Sequence, residues 1–483
     1  MDPRLKMGTN LLFFQLGIVL LIVSGSLGAP RSDLVKKLPG QPKDVSFNQY
    51  AGYVTINADK ALFYYFVEAD TDRPTSRPLA LWLTGGPGCS SLGFGALEEH
   101  GPFRPKGDIL VKDLYSWNKE TNVLYVESPI GVGFSYSINT KDYQNFNDAQ
   151  AAEDNLAFIL NWYKKFPEFK DVDFYITGES YAGHYVPQLT ALVLDYNKNH
   201  RKPINLKGIS LGNPFVDIDI SINNGEFLWS HGQISDRTYK FTRKVCNTSR
   251  QWYEIYGNDT LSADCAKVSA MVDMEMGSVD PYDAISDDCV SYRRMQSSTL
   301  QNKVSRFFKK IPQKGVDPCI DAEVHTYLNR KDVQKALHAN TSGRLPGPWD
   351  SCYGPLGYDS RDRLINIIPI LSNLLKAGVR VILYGGDQDS VVPFMATRTI
   401  ADRLAKELHL STIIPYRTWY DHKQIAGWTQ AYGHVRKNGK NNTILTFATV
   451  RGAAHEVPYT NPSEALTLYR SFIRGLPLPL PTM

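Results

Sequence analysis

Short, nearly wholly apolar runs recur along this chain, each closing in a cluster of glycine, proline, serine or aspartate. The clearest are Leu79-Ala80-Leu81-Trp82-Leu83, residues 122–127, Phe174-Tyr175-Ile176-Thr177, Arg380-Val381-Ile382-Leu383-Tyr384 and residues 445–450. Runs of this length, bounded by turn residues, predict buried strands. A hairpin is predicted ahead of them, a helix over residues 147–165, and a second amphipathic segment after residue 181. Strands alternating with helices predict a mostly parallel sheet with helices on its faces. The alternation breaks over residues 216–345 and resumes over residues 346–475. Residues 44–215 and 346–475 therefore read as two parts of one core, and residues 216–345 as an insertion capping it. Internal repeats and low-complexity tracts are absent.

The third strand runs into Gly178-Glu179-Ser180-Tyr181-Ala182-Gly183. A strand ending in Gly-x-Ser-x-small and entering a helix is the nucleophile elbow of an α/β-hydrolase fold. The turn is tight, so its flanks must be small, and it lifts the serine hydroxyl to the carboxyl end of a parallel sheet. By itself the pattern is short, and an ordinary turn is the bland alternative. Its partners decide the matter, because they follow in the order Ser, Asp, His.

The loop Gly385-Gly386-Asp387-Gln388-Asp389-Ser390-Val391-Val392-Pro393 follows the fourth strand. An acid there can orient an imidazole and stabilise its protonated form. Asp389, just before Val391, is the expected acid, and Asp387 the turn former. The last strand leads into Gly452-Ala453-Ala454-His455-Glu456-Val457-Pro458, which places His455 as the general base. The first strand leads into Thr84-Gly85-Gly86-Pro87-Gly88-Cys89, a loop too rich in glycine to pack side chains. Such a loop turns backbone N–H groups toward a developing oxyanion. One donor in this fold comes from the residue after the nucleophile, Tyr181, and the other from this loop. A phosphate cradle is excluded, since no Gly-Lys-Ser/Thr follows the glycines.

With these segments stand Gln49-Tyr50-Ala51-Gly52-Tyr53-Val54, Tyr115-Ser116-Trp117-Asn118, Val126-Glu127-Ser128-Pro129-Ile130-Gly131-Val132-Gly133-Phe134-Ser135-Tyr136 and Ser210-Leu211-Gly212-Asn213-Pro214. Together they resemble the serine carboxypeptidase family over nearly the whole mature chain, nearer to its plant peptidase-type branch than to its acyltransferase branch. The resemblance implies a triad of Ser180, Asp389 and His455 and an oxyanion hole of the Gly86 and Tyr181 N–H groups. It further implies that Glu99 and Glu179 sit together, with Thr84 and Gly85, around the substrate's terminal carboxylate. Two adjacent carboxyls share a proton because ionising both is costly, and a protonated pair can donate to a carboxylate. Acid-favoured removal of C-terminal residues follows from that arrangement; transfer of an acyl group from a glucose ester is the alternative. The family loop usually carries asparagine where Thr84 stands, and a hydroxyl offers one donor where an amide offers two. Ala454 replaces a common glycine.

The rest of the chain bears on where such an enzyme works. Residues 1–28 read as a signal peptide: Arg4 and Lys6, then an apolar run over residues 11–23 too short to span a bilayer, then small residues. Six cysteines in an exported chain predict three disulfides, for which counting alone allows 15 pairings. The resemblance implies Cys89 with Cys352, Cys246 with Cys265, and Cys289 with Cys319. Sequons begin at Asn247, Asn258, Asn340 and Asn441. The polar, basic stretch 293–314 reads as an exposed, cleavable linker. These features predict a secretory-pathway protein, extracellular or vacuolar. In 483 residues the net charge of +4 is too small and dispersed to argue for nucleic acid, and no metal-binding spacing occurs. The expected partner is a peptide or small acyl substrate, with no cofactor, no nucleic acid and no membrane after leader removal; a homodimer is left open.

Overall fold

The computed structural model describes residues 29–287, 289, 316–339, 347–352, 354–435 and 442–481. The predicted leader, the basic stretch 293–314, Asn340 and Asn441 lie outside the described residues.

The strands are β1 (Gln49–Thr55), β2 (Lys60–Val67), β3 (Leu79–Leu83), β4 (Phe103–Lys106), β5 (Ile109–Lys112), β6 (Asn122–Val126) and β7 (Tyr136–Ser137). There follow β8 (Phe174–Glu179), β9 (Leu206–Gly212), β10 (Arg380–Gly386), β11 (Ser411–Asp421), β12 (Gln424–His434) and β13 (Asn442–Val450). All but β4 and β5 join one sheet in the order β1-β2-β6-β3-β8-β9-β10-β13-β12-β11, with β7 on β2. The middle, from β6 to β13, is parallel, and hairpins flank it at both ends.

Both faces of the sheet are covered. Leu79, Leu81 and Leu83 of β3 enter one apolar core, while Ala80 and Trp82 enter the other. This explains why the strand is apolar at every position rather than at alternate ones. The first core takes its cover from α1 (Asp148–Lys165) and α2 (Ala182–Asn199). Helix α1 starts where the sequence asks it to. Asn147 accepts from the Gln150 N–H at 2.9 Å, and Gln150 accepts from the Asn147 N–H at 3.2 Å. This reciprocal cap satisfies two otherwise orphaned donors. Phe158, Ile159 and Trp162 are fully buried on its inner face, each worth about 1.5–3 kcal/mol of transfer free energy.

Register aligns the strand ends that matter. Leu83 of β3 pairs with Gly178 of β8, Gly178 with Leu211 of β9, and Gly386 of β10 with Val450 of β13. The loops after β3, β8, β10 and β13 therefore leave from one edge of the sheet. The segment after β9 is mostly helical, from Ile218–Ser221 through Ala263–Met276, and a tail beyond it reaches back to that edge. There Ser390 donates from N–H and Oγ to the Pro281 carbonyl at 3.0 and 2.7 Å. Ala284 donates to the Gln388 carbonyl at 3.0 Å. Among the described residues no helix is long and apolar enough to cross a membrane.

Candidate active site

Ser180 sits between β8 and α2 with φ +57°, a left-handed conformation that costs a residue bearing a side chain of order 1–3 kcal/mol. The surroundings hold it there. Its N–H donates to the Gly212 carbonyl at 3.0 Å, and its own carbonyl accepts from Gly183 and Phe215 at 2.9 and 3.0 Å. Gly178 cannot be larger, since a Cβ there would lie 2.4 Å from the Leu83 carbonyl oxygen.

The glycine loop after β3 presses on this turn. A Cβ on Gly85 would fall 2.3 Å from the Tyr181 nitrogen and 2.9 Å from both the Glu179 oxygen and Ser180 Cβ. The backbone of the loop thus lies against the backbone of the elbow, beside the N–H groups of Gly86 and Tyr181. Cys89 and Cys352 are disulfide-bonded, 4.1 Å apart at Cα, and Ser90 donates to the Ser351 carbonyl at 2.7 Å, so the loop is tied to the distal half of the chain.

The candidate acid and base meet across 66 residues of sequence: His455 Nδ1 lies 2.7 Å from Asp389 Oδ2. A carboxylate only accepts, so Nδ1 carries the proton and Nε2 is left as the acceptor. Nε2 is buried with no partner among the described residues. Asp389 is fully buried and also accepts from Asn213 Nδ2 at 2.6 Å and from the Val391 and Val392 N–H groups at 2.7 and 3.2 Å. Burial pulls the His455 pKa down, but the charge and hydrogen bond of Asp389 outweigh it, with Glu456 and Glu99 adding to the rise. Asp387, read from sequence as a turn former, does more: its Oδ1 accepts from the Gly452 N–H at 2.6 Å and so ties the acid loop to the histidine loop. The Tyr282 carbonyl accepts from the His455 N–H at 2.9 Å, and its ring stands edge-on to the imidazole at 5.0 Å.

Glu99 ends the π-helix Ser91–Glu99, and Glu179 ends β8; both are buried. Burial and then the charge of Glu179 hold the Glu99 carboxyl well above the usual range. Burial and then Glu456 do the same for Glu179. Glu99 and Glu179 share a side-chain hydrogen bond, which two carboxyls can make only when one of them is protonated, and among the described residues no other donor reaches the Glu99 oxygens. Two more acids join them. Burial and Glu456 raise Glu98, and burial pushes the Glu456 carboxyl up to about 7, against the pull of His455. Sequence reasoning missed Glu98, Glu456 and Asn213, although each adjoins a residue or motif it had singled out.

Thr84 is buried, its hydroxyl accepting from the Trp82 indole at 2.9 Å and its N–H donating to Ser91 Oγ at 3.0 Å. Cys246 is bonded to Cys265 and Cys289 to Cys319, with Cα separations of 5.2 and 5.0 Å. Asn247 and Asn258 are exposed, at the two ends of helix Thr248–Asn258. No group of acidic, histidine or cysteine side chains suited to a metal occurs among the described residues.

A parallel sheet whose strand ends gather a strained serine, a histidine–aspartate pair and a glycine loop defines an α/β-hydrolase. Within that class, the serine carboxypeptidase family model matches residues 39–475, and the chain belongs to this family of serine-type peptidases. It is similar to serine carboxypeptidase-like 45 of Arabidopsis thaliana, 49% identical over 464 residues and 95% of each chain. Serine carboxypeptidase-like 46 of the same plant is 47% identical over 481 residues and 99% of each chain. The crystal structure of Kex1(delta)p, a prohormone-processing carboxypeptidase from Saccharomyces cerevisiae, superposes with a TM-score of 0.72 at 21% identity. It covers 92% of this chain and 95% of that one, a likeness of fold.

Proposed function

We propose that this chain releases C-terminal residues from peptides through an acyl-enzyme on Ser180, most effectively at acid pH, within the secretory pathway. The carrying observation is the buried Glu99–Glu179 pair next to the Asp389–His455 dyad and Ser180. In the first half-reaction His455 Nε2 takes the Ser180 hydroxyl proton as Oγ bonds to the scissile carbonyl carbon. The oxygen of that carbonyl becomes an oxyanion, met by the N–H groups of Gly86 and Tyr181. Collapse breaks the C–N bond, and the departing amine takes the proton from Nε2. Water then repeats the sequence on the ester and regenerates Ser180.

The carboxyl pair selects the substrate. Holding a proton, it donates to the terminal carboxylate; ionised, it repels it. Its raised pKa extends the protonated form above the ordinary carboxyl range, which favours acid to mildly acid conditions. Protonating Glu99 and Glu456 also removes two of the charges that hold a proton on His455, so the base is freed as the binding site is charged with its proton. The cap read over residues 216–345 is anchored, in its described part, through Pro281, Tyr282 and Ala284. The disulfides, the exposed sequons and the leader-like first 28 residues support export.

Acyl transfer from a glucose ester remains a second reading because Thr84 stands where an amide donor would hold the carboxylate. Both routes share the acyl-enzyme and differ in its acceptor. Purified protein is incubated with blocked dipeptides and, separately, with acyl-glucose esters plus alcohols. Release of the C-terminal amino acid supports the peptidase; ester formation without peptide cleavage overturns it.

A further inference from the structure

Behind the elbow lies a buried acid that the reaction above does not use. Asp148 opens α1, and its carboxylate accepts from four side chains. Oδ2 lies 2.8 Å from His184 Nδ1 and 2.8 Å from Gln188 Nε2. Oδ1 accepts from the Tyr181 hydroxyl at 3.2 Å and from the Tyr358 hydroxyl. Four donors fill the lone-pair sites of one carboxylate. The backbone N–H of Asp148 donates in turn to Asp362 Oδ2 at 2.6 Å, and the helix N-terminus favours an anion there.

Three of these donors converge on Tyr181: its own hydroxyl, His184 and Tyr358. Its ring stacks on His184 at 4.6 Å and 15°, and His184 stacks on Phe215 at 5.1 Å and 6°. Arg363 lies 5.7 Å from the centre of the Tyr181 ring, and Tyr185 and Tyr358 meet it edge-on at 5.3 and 6.0 Å. The side chain of the residue that offers an oxyanion N–H is thus fixed on its face, its edges and its hydroxyl tip. The backbone of that residue follows a serine in a strained conformation, where an unanchored turn would relax.

We propose that Asp148 is a positioning residue for the oxyanion hole: through Tyr181, Tyr358 and His184 it clamps the Tyr181 side chain and so aims the Tyr181 N–H. The inference rests on the assignment of Ser180 and Tyr181 given above. It predicts a transition-state effect from a group that touches no substrate.

Tyr181→Phe removes one hydroxyl and leaves the peptide N–H and the ring stacking in place. Asp148→Ala removes the shared acceptor. Asp148→Asn keeps the shape, because the two tyrosine hydroxyls can turn to accept from the new amide. kcat and KM on a blocked dipeptide are measured per site titrated to completion with a phosphonofluoridate. Inhibition by a peptide aldehyde, whose hemiacetal oxygen occupies the hole, is measured in parallel. Tyr181→Phe is expected to lower kcat per titrated site by about tenfold with KM essentially unchanged, and to weaken the aldehyde by the same factor. Asp148→Ala is expected to lose at least as much, and Asp148→Asn to recover most of it. Should Asp148→Ala fail to fold, Tyr181→Phe alone decides. Wild-type kcat per titrated site in Tyr181→Phe, or a change confined to KM, overturns the proposal while leaving the enzyme assignment standing. A wild-type protein that neither labels at Ser180 nor turns over overturns both.

Discussion

Adding one methyl group at Gly85 is the sharpest perturbation the site permits. The new Cβ would stand 2.3 Å from the Tyr181 nitrogen and 2.9 Å from the Glu179 oxygen and Ser180 Cβ. Ordinary contact of carbon with such atoms begins near about 3.5 Å, so the loop and the elbow must separate by about 1 Å. None of the atoms struck is the end of a flexible side chain, so rotamer change cannot absorb the shift. Gly85 has no left-handed φ that an alanine would resist; the effect is steric displacement alone. A misplacement of about 1 Å in a preorganised site costs about 100-fold in rate, or about 2.7 kcal/mol. Gly85→Ala should therefore lower kcat on a blocked dipeptide by about 100-fold at equal folded protein judged by circular dichroism. The Asp389–His455 pair, on other loops, should be unaffected. A kcat within about threefold of wild type would refute the claim that the loop and elbow backbones are held in contact for catalysis.

Peptides with a free C-terminus should show KM rising as pH climbs through the raised range of the Glu99–Glu179 pair, whereas amidated analogues should not. Glu99→Gln, uncharged at every pH, should flatten the rise, and identical slopes for both substrates would defeat the argument. A carboxyl whose folded pKa is raised contributes stability below its unfolded pKa and loses it as pH rises through the folded value. Melting temperature should accordingly fall between about pH 5 and 8, and Glu456→Gln should reduce that fall because the Glu456 carboxyl sits at about 7; a flat profile in the wild type contradicts this. Thr84→Asn can keep the Trp82 indole bond with its oxygen and free its NH₂ to donate. It should lower KM for free-acid peptides by about tenfold and leave amidated ones unchanged, with equal gains on both arguing against carboxylate recognition.

Local signals carried most of this architecture. The strands under the four loops announced themselves as apolar runs because both of their faces are buried, as the alternation of Leu79 to Leu83 between two cores shows. The preference for Asp389 over Asp387 rested on position in the loop, and the two do have different jobs, one on the imidazole and one on Gly452. The β11–β12 hairpin was not singled out, because β11 is almost wholly exposed or half-exposed and both strands are mixed in polarity. Glu98 and Glu456 escaped notice for a different reason. A charge beside a motif reads as solvated until a fold brings it, buried, against charges from distant parts of the chain. Asp148 is the extreme case: it fell unremarked within the helix predicted over residues 147–165, yet it is the meeting point of donors from α2 and from Tyr358.

The central claim is that Ser180 is the nucleophile of a carboxypeptidase, and release of the C-terminal amino acid tests it most directly. Wild type and Ser180→Ala, matched by circular dichroism and secreted yield, are incubated at acid pH with a blocked dipeptide and with its C-terminal amide. Wild type should release the terminal amino acid, preferring the free acid, and the variant should lose activity by several orders of magnitude, since the triad acts as a unit. A correctly folded Ser180→Ala protein that keeps most of the wild-type release would contradict the account.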